Sequence, residues 1–398
     1  MFGVERRVTG AVDRLLGSEM VRWVIGRRTL DRPALFEAST TGVESVHRYG
    51  HAETVSFERQ VALDPVPSRL AMRPVSTDTP PWTVLECSDV QLVGPEGLTF
   101  LPDGRVLLEN SLGWNKRVGV SAARSVLERT LPVRRDGHAA RSVDTAVSLV
   151  GPWTDNFYHW HFDYLVRLAA LSSYTATSGK EPLLLLPPET SDWMRDALSL
   201  VGYDESDWRV WDGRRTNVDR LVVPALPRET EGSAPRLPNH YYSLNPDAVR
   251  WLGERMRSHV ADDVPSHAPD TGRLYVSRQG GDSRRVSNLD SLAPLLETYG
   301  FERFRPEEHS VAEQVATFAD ADVVLGVHGA GLTNLLFATD ATLVELFGSY
   351  VNPVFYALAV QTNNEYACAG FEPRGDDLHV DPDRLRALFD LAGVAPVA

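Results

Sequence analysis

The stretch ADADVVLGVHGAGLTNLLFATDATLVELFG, residues 319–348, constrains the fold more than any other part of the chain. It reads as a strand (Asp322 to Val327), a glycine-rich turn (His328-Gly329-Ala330-Gly331), a short helix (about Leu332 to Ala338) and a second strand (Leu343 to Phe347). Gly329 and Gly331 flank a residue with a minimal side chain, so the turn can lie close to a ligand with its free N–H groups aimed at it. At the start of a helix such a turn suits a phosphate. His328, Thr333 and Asn334 bring more polar groups to it than a plain packing turn requires.

The segments before the turn are regular. A strand from Arg273 to Ser277 leads into a polar loop, a helix from Asp290 to Tyr299 ended by Gly300, a strand from Phe301 to Phe304, and a helix from Ser310 to Phe318. Ser310 and Glu313 are spaced as a capping box for the last helix. This βαβαβ rhythm describes a Rossmann-like half, in which ligands sit outside the carboxyl ends of the strands. The loops 277–288, 305–310 and 328–334 all follow strands and can share that edge. In the first of them, Arg278, Arg284 and Arg285 can clamp phosphate oxygens through bidentate hydrogen bonds. Glu345 lies in an apolar strand, where a carboxylate is costly unless it is paired or placed at the ligand edge. It can be a buried ion-pair partner or, on a nucleotide-binding sheet, an acceptor for ribose hydroxyls.

A chain of 398 residues exceeds the usual size of one hydrophobic core, so two domains are expected. The segment 261–272, rich in Pro, Asp, Ser and Gly, reads as their boundary, giving an N-terminal extension over 1–60, an α/β domain over 61–260 and a ligand-binding domain over 261–398. Residues 82–110 read as strands with a hairpin signal at Pro102-Asp103-Gly104. LLLLP (183–187) and LVVP (221–224) suit a parallel sheet covered by helices. A net charge of −14 argues against a nucleic-acid-coating role. Cys87 and Cys368 are too far apart in sequence for a metal-binding spacing and read as buried thiols. Lysine occurs only at positions 116 and 180, which fits a high-salt cell interior or a GC-rich genome. No apolar stretch is long enough to cross a membrane, and a cytoplasmic protein is expected. Residues 1–28 carry six arginines against three carboxylates around an amphipathic pattern with Trp23. That segment can lie on an anionic membrane surface or pack as a helix on the body of the protein.

A second polar cluster, Asn156, His159, His161, Asp163 and Arg167, is set among Phe157, Tyr158, Trp160, Phe162 and Tyr164. On a helix His159 and Asp163 share a face, and Asp163 and Arg167 continue it. Such a pair can act as a general base with its orienting partner, or as a surface ion pair. As metal ligands His159, His161 and Asp163 line up only on a strand, since a helix turns His161 away.

Taken together, NFYHWHFDYLVRL (156–168), LYVSRQGGDSRRVSN (274–288), residues 301–337 with HGAGLTN, and LVELF (343–347) resemble glycosyltransferase family 61. The likeness covers the second half well, the middle in part and the first 140 residues hardly at all. It implies an α/β fold of two Rossmann-like domains facing across a cleft, GT-B-like, behind an N-terminal helical or mixed extension. It further implies an inverting transfer from a nucleotide-diphosphate sugar, a UDP-sugar being expected, to a glycan, glycolipid or surface-polysaccharide intermediate. On this resemblance Arg278, Arg284 and the turn from Gly329 through Ala330, Gly331, Leu332 and Thr333 to Asn334 hold the diphosphate. Glu345 faces the ribose, and His328 meets phosphate or sugar. Asp163, with His159 or His161 as alternatives, is the base, and Arg167 orients Asp163. No metal or other cofactor is implied. The family's plant and animal members carry an N-terminal membrane anchor that this chain does not show, which suggests a prokaryotic enzyme, with residues 1–28 as a peripheral contact to a membrane-borne acceptor. The competing reading is a nucleotide-sugar- or phosphate-binding protein without catalysis. An NAD-dependent dehydrogenase fits less well, because the turn is not GxGxxG.

Overall fold

The computed structural model describes residues 29–30, 42–58, 61–65, 75–107, 109, 141–228 and 243–397. The basic segment 1–28 lies outside the described residues. The chain divides into two compact units, Met1–Gly50 with Trp82–Ser191 and Tyr203–Leu226, and His51–Pro81 with Asp192–Gly202 and Pro227–Ala398. Both are built on a sheet, so the architecture is α/β.

In the first unit the strands Thr216–Pro224, Arg141–Ser148, Leu183–Leu186 and Trp208–Val210 are neighbours in that order and run parallel. Leu184, Leu185 and Leu186 are fully or almost fully buried, as a strand covered on both faces requires. Trp82–Val93 pairs antiparallel with Thr216–Pro224 and with Leu98–Phe100, so this sheet is mixed rather than wholly Rossmann-like. Leu98–Phe100 and Val106–Leu107 pair antiparallel around the Pro102-Asp103-Gly104 turn, with Gly104 at φ +84°.

The sheet of the second unit is parallel throughout. Its order is Glu302–Phe304, Arg273–Val276, Val323–Val327, Thr342–Phe347, Glu365–Gly370 and Val61–Leu63. Taken in chain order from Arg273, the first five strands stand 2-1-3-4-5, the doubly wound order whose direction reverses between the first and third. Ligands bind in such sheets beyond the carboxyl ends of those two strands, where residues 277–288 and the glycine turn begin. The capping box is present, with Ser310 Oγ accepting from Glu313 N and Glu313 Oε2 accepting from Ser310 N.

Two placements depart from the sequence reading. Val61–Leu63 joins the second sheet, where Arg384 donates to Leu63 O and Asp64 O. The segment 261–272, read as a domain boundary, runs inside the second unit, which also takes in Asp192–Gly202 and the helix Pro246–Arg257. That helix, capped by Asn245, packs its Gly253 against the backbone of residues 330–337, and Arg257 donates to Phe337 O at 3.0 Å. A Cβ on Gly253 would stand 2.6 Å from Leu336 O. Gly253→Ala should therefore destabilise the protein by about 1–3 kcal/mol in urea unfolding, although Gly→Ala inside a helix ordinarily stabilises by about 1 kcal/mol. Unchanged or increased stability would contradict this packing.

Candidate active site

The strand Val323–Val327 is buried at every position and delivers the chain into the turn. Beyond it residues Ala330–Phe337 form a 3-10 helix whose ladder opens with Leu332 N donating to Gly329 O at 2.9 Å. The N–H groups of Ala330 and Gly331 precede that ladder and have no intrahelical acceptor. Leu332 is buried core, packed where a Cβ on Gly326 would come within 2.7 Å of it, so it offers the turn only its backbone.

Gly329 is extended, at φ 173°, and any residue can adopt that backbone. Its missing side chain matters because a Cβ there would lie 1.9 Å from Nη1 of Arg278. The guanidinium thus rests on the turn. Arg278 is half-buried and donates from Nε to Ser283 O at 3.3 Å, with no ion pair to a carboxylate among the described residues. Burial lowers its pKa from the ordinary arginine value, the charge of Arg284 adds to the effect, and the Glu307 carboxylate offsets part of it. A guanidinium does not give up its proton in a protein, so this cation gains from an anionic ligand.

Arg284 sits in the left-handed region at φ +60°, its backbone N–H held by Asp376 O at 2.8 Å. Its guanidinium lies over the ring of Tyr350, 5.3 Å from the centroid, and Tyr350 in turn packs against His328. Arg285 does not join them, because it is engaged with Asp377.

His328 and Glu345 form a buried pair. Nδ1 of His328 donates to Oε1 of Glu345 at 2.6 Å, and Tyr366 donates its hydroxyl to Oε2 at 2.6 Å. Burial, and then the Glu345 charge, push the Tyr366 pKa well above its ordinary value, so it remains a donor. Glu345 is fully buried with both oxygens engaged. It holds the tautomer and direction of the His328 ring instead of facing a ribose. The sequence reading missed Tyr366 and Tyr350; Tyr366 is in register with Leu343 on the next strand, a relation visible only after the sheet is assembled.

The far end of the turn is fixed by amides. Gln314 Nε2 donates to Pro306 O and His309 O, so its Oε1 must accept, and Asn334 Nδ2 donates to it at 2.8 Å. Asn334 Oδ1 and Thr333 Oγ1 are buried and have no hydrogen-bond partner among the described residues. Leaving such groups unsatisfied costs about 1–3 kcal/mol each.

The second cluster belongs to the first unit. Asn156 is a helix cap, its Oδ1 accepting from Tyr158 N and His159 N. The helical segment that follows widens into a π-turn over Trp160–Tyr164 and returns to α-helix at Leu168. Such widened turns often mark functional sites. His159 Nδ1 donates to Asp163 Oδ2 at 2.6 Å, since an ionised carboxylate can only accept. The His159 side chain is 34% exposed and stacks on Trp153, while Asp163 is 12% exposed, so the imidazole is the outer member of the pair. His161 is fully buried, with Nδ1 donating to Phe157 O, and burial lowers its pKa to about 4. It is neutral at pH 7 and turned to a different partner from His159. Arg167, also fully buried, donates from Nε to Pro224 O at 2.6 Å.

Comparison with known proteins gives these residues a context. Residues 157–344 match the family described as Glycosyltransferase 61. An alpha-1,3-arabinosyltransferase of Oryza sativa subsp. japonica is 36% identical over 110 residues, 26% of this chain and 17% of that protein. The EGF domain-specific O-linked N-acetylglucosamine transferase of Drosophila melanogaster is 31% identical over 208 residues, 49% of this chain and 39% of that protein. Its Mus musculus counterpart is 23% identical over 206 residues, 48% of this chain and 38% of that protein. The chain thus spans well under half the length of these relatives. Among the described residues no helix is long and apolar enough to cross a membrane.

Gly329→Ala should drive the Arg278 guanidinium off the turn. We expect inorganic pyrophosphate, a probe for an anion site, to bind at least about tenfold more weakly, as the loss of one charge-assisted hydrogen bond implies. The thermal midpoint should change little, and unaltered pyrophosphate binding would show that Arg278 does not define an anion site.

Proposed function

Proceeding from the glycosyltransferase family 61 domain that spans residues 157–344, we propose that the chain transfers a sugar from a nucleotide-diphosphate donor to a hydroxyl acceptor with inversion at the anomeric carbon. The observation that carries the reading is the Arg278 cation resting on Gly329 with no carboxylate ion pair among the described residues, beside backbone N–H groups that open a helix. A diphosphate supplies the missing anion. In this reading Arg278 and the N–H groups of Ala330 and Gly331 bind it, and Arg284, held over Tyr350, adds a second cation. Nε2 of His328, with Nδ1 fixed on Glu345, faces a phosphate or sugar oxygen. The polar ends of Thr333 and Asn334 complete the cradle. Glu345 acts through His328 as a positioning residue.

The transfer needs a base to take the acceptor proton. His159 fits better than Asp163, because the carboxylate is spent on Nδ1 and leaves Nε2 of the more exposed imidazole as proton acceptor. The acceptor oxygen attacks the anomeric carbon, its proton passes to His159 Nε2, and the bond from that carbon to the diphosphate oxygen breaks with its electron pair on the leaving group. Arg278 and the turn stabilise the charge that develops there. Asp163 holds the imidazole and stabilises the imidazolium that results. A UDP-sugar donor and a glycan or lipid-linked hydroxyl acceptor are the proposed substrates.

The tests separate the halves. Arg278→Ala should weaken binding of UDP-, GDP- or TDP-sugars about tenfold to a hundredfold. His159→Ala and Asp163→Asn should lower turnover by about 10²–10⁴ and leave donor affinity within about twofold. Full turnover in both dyad variants would remove them from the chemistry, and stabilisation by none of the nucleotide sugars would remove the donor site.

A further inference from the structure

The geometry points to a separate site in the second unit: we propose that His267, His309 and Glu313 bind a divalent transition-metal ion of the zinc class. One ligand atom from each, two imidazole nitrogens and a carboxylate oxygen, lies within 4.8 Å of the other two. Such a set suits Zn²⁺, which takes His and Glu ligands in a tetrahedron and can complete it with water.

Each ligand is anchored by a contact of its own. The backbone N–H of His267 donates to the buried Thr317 Oγ1 at 3.0 Å. The His309 ring lies flat on Phe304, with centroids 4.5 Å apart and planes 9° from parallel. Glu313 uses Oε2 to accept from Ser310 N in the capping box, which leaves Oε1 turned to His267, 3.2 Å from its Nε2. Supporting contacts of this kind preorganise a metal site by fixing ligand orientation before the ion arrives.

The charges fit as well. The carboxylate of Glu313 is the one charged ligand beside two imidazoles. The two imidazole rings have centroids 4.3 Å apart. A shared metal ion would bond to both in their neutral form. A bound ion would tie the segment 261–272 to the first turn of the helix Val311–Ala319 and stabilise the fold by mass action. Neither the proposal nor its test depends on the sugar-transfer reading.

The test uses tag-free full-length protein, freed of metal with a chelator and titrated with Co²⁺ and then Zn²⁺. We expect one Co²⁺ per chain with the visible absorption of a four-coordinate ion, displaced by Zn²⁺. His267→Ala, His309→Ala and Glu313→Gln, the last of which keeps a capping side chain, should each weaken binding at least about tenfold without change in far-UV circular dichroism. Absence of Co²⁺ binding by the wild-type protein would overturn the proposal. So would equal stoichiometry and affinity in the wild type and in the doubly substituted His267→Ala/His309→Ala protein.

Discussion

A cation held against a glycine organises the second unit of this protein. Arg278 follows the first strand of the doubly wound order and Gly329 follows the third, so the two meet where the direction of the sheet reverses. The guanidinium fits only because Gly329 has no side chain. Around it, Gly326 makes room for Leu332, Gln314 fixes Asn334, and Gly253 lets the helix Pro246–Arg257 approach residues 330–337 from behind. These contacts hold a short stretch of backbone in place with its leading N–H groups outside the helix's own hydrogen-bond ladder.

The site also stores polar groups in low dielectric. Glu345 is a fully buried carboxylate, tolerated because His328 and Tyr366 each donate to one of its oxygens. Removing either donor would leave a buried charge partly unsatisfied, so the pair is structurally demanding. The first unit uses a comparable device, where Asp163 lies behind His159, while the buried His161, between them in the same helical stretch, turns to Phe157 O. In both cases a carboxylate sets the tautomer of an imidazole, and the imidazole presents its other nitrogen.

Much of this was legible in the residues. Strand and helix periodicity, the capping box at Ser310 and Glu313, and the run from His328 to Asn334 identified the second sheet and the turn beyond its third strand. The spacing of His159 and Asp163 survived because both a helix and its π-widened variant bring such residues together. The role of Glu345 was not legible, since its partner Tyr366 comes from the neighbouring strand and nothing local announces it. Nor was the place of Val61–Leu63, a three-residue strand whose pairing with Glu365–Gly370 spans some three hundred residues of chain. Asn156 stood in the polar cluster with no role of its own and is a helix cap, which only the backbone around it reveals.

If Arg278 and the turn bind a diphosphate as proposed, the diphosphate, and not the nucleoside, supplies most of the donor's affinity. Calorimetric titration of the full-length protein with UDP against uridine, GDP against guanosine and TDP against thymidine measures this directly. The account predicts that for the cognate base the diphosphate binds at least about a hundredfold more tightly than its nucleoside, about 2.7 kcal/mol. Equal affinities within each pair would contradict it.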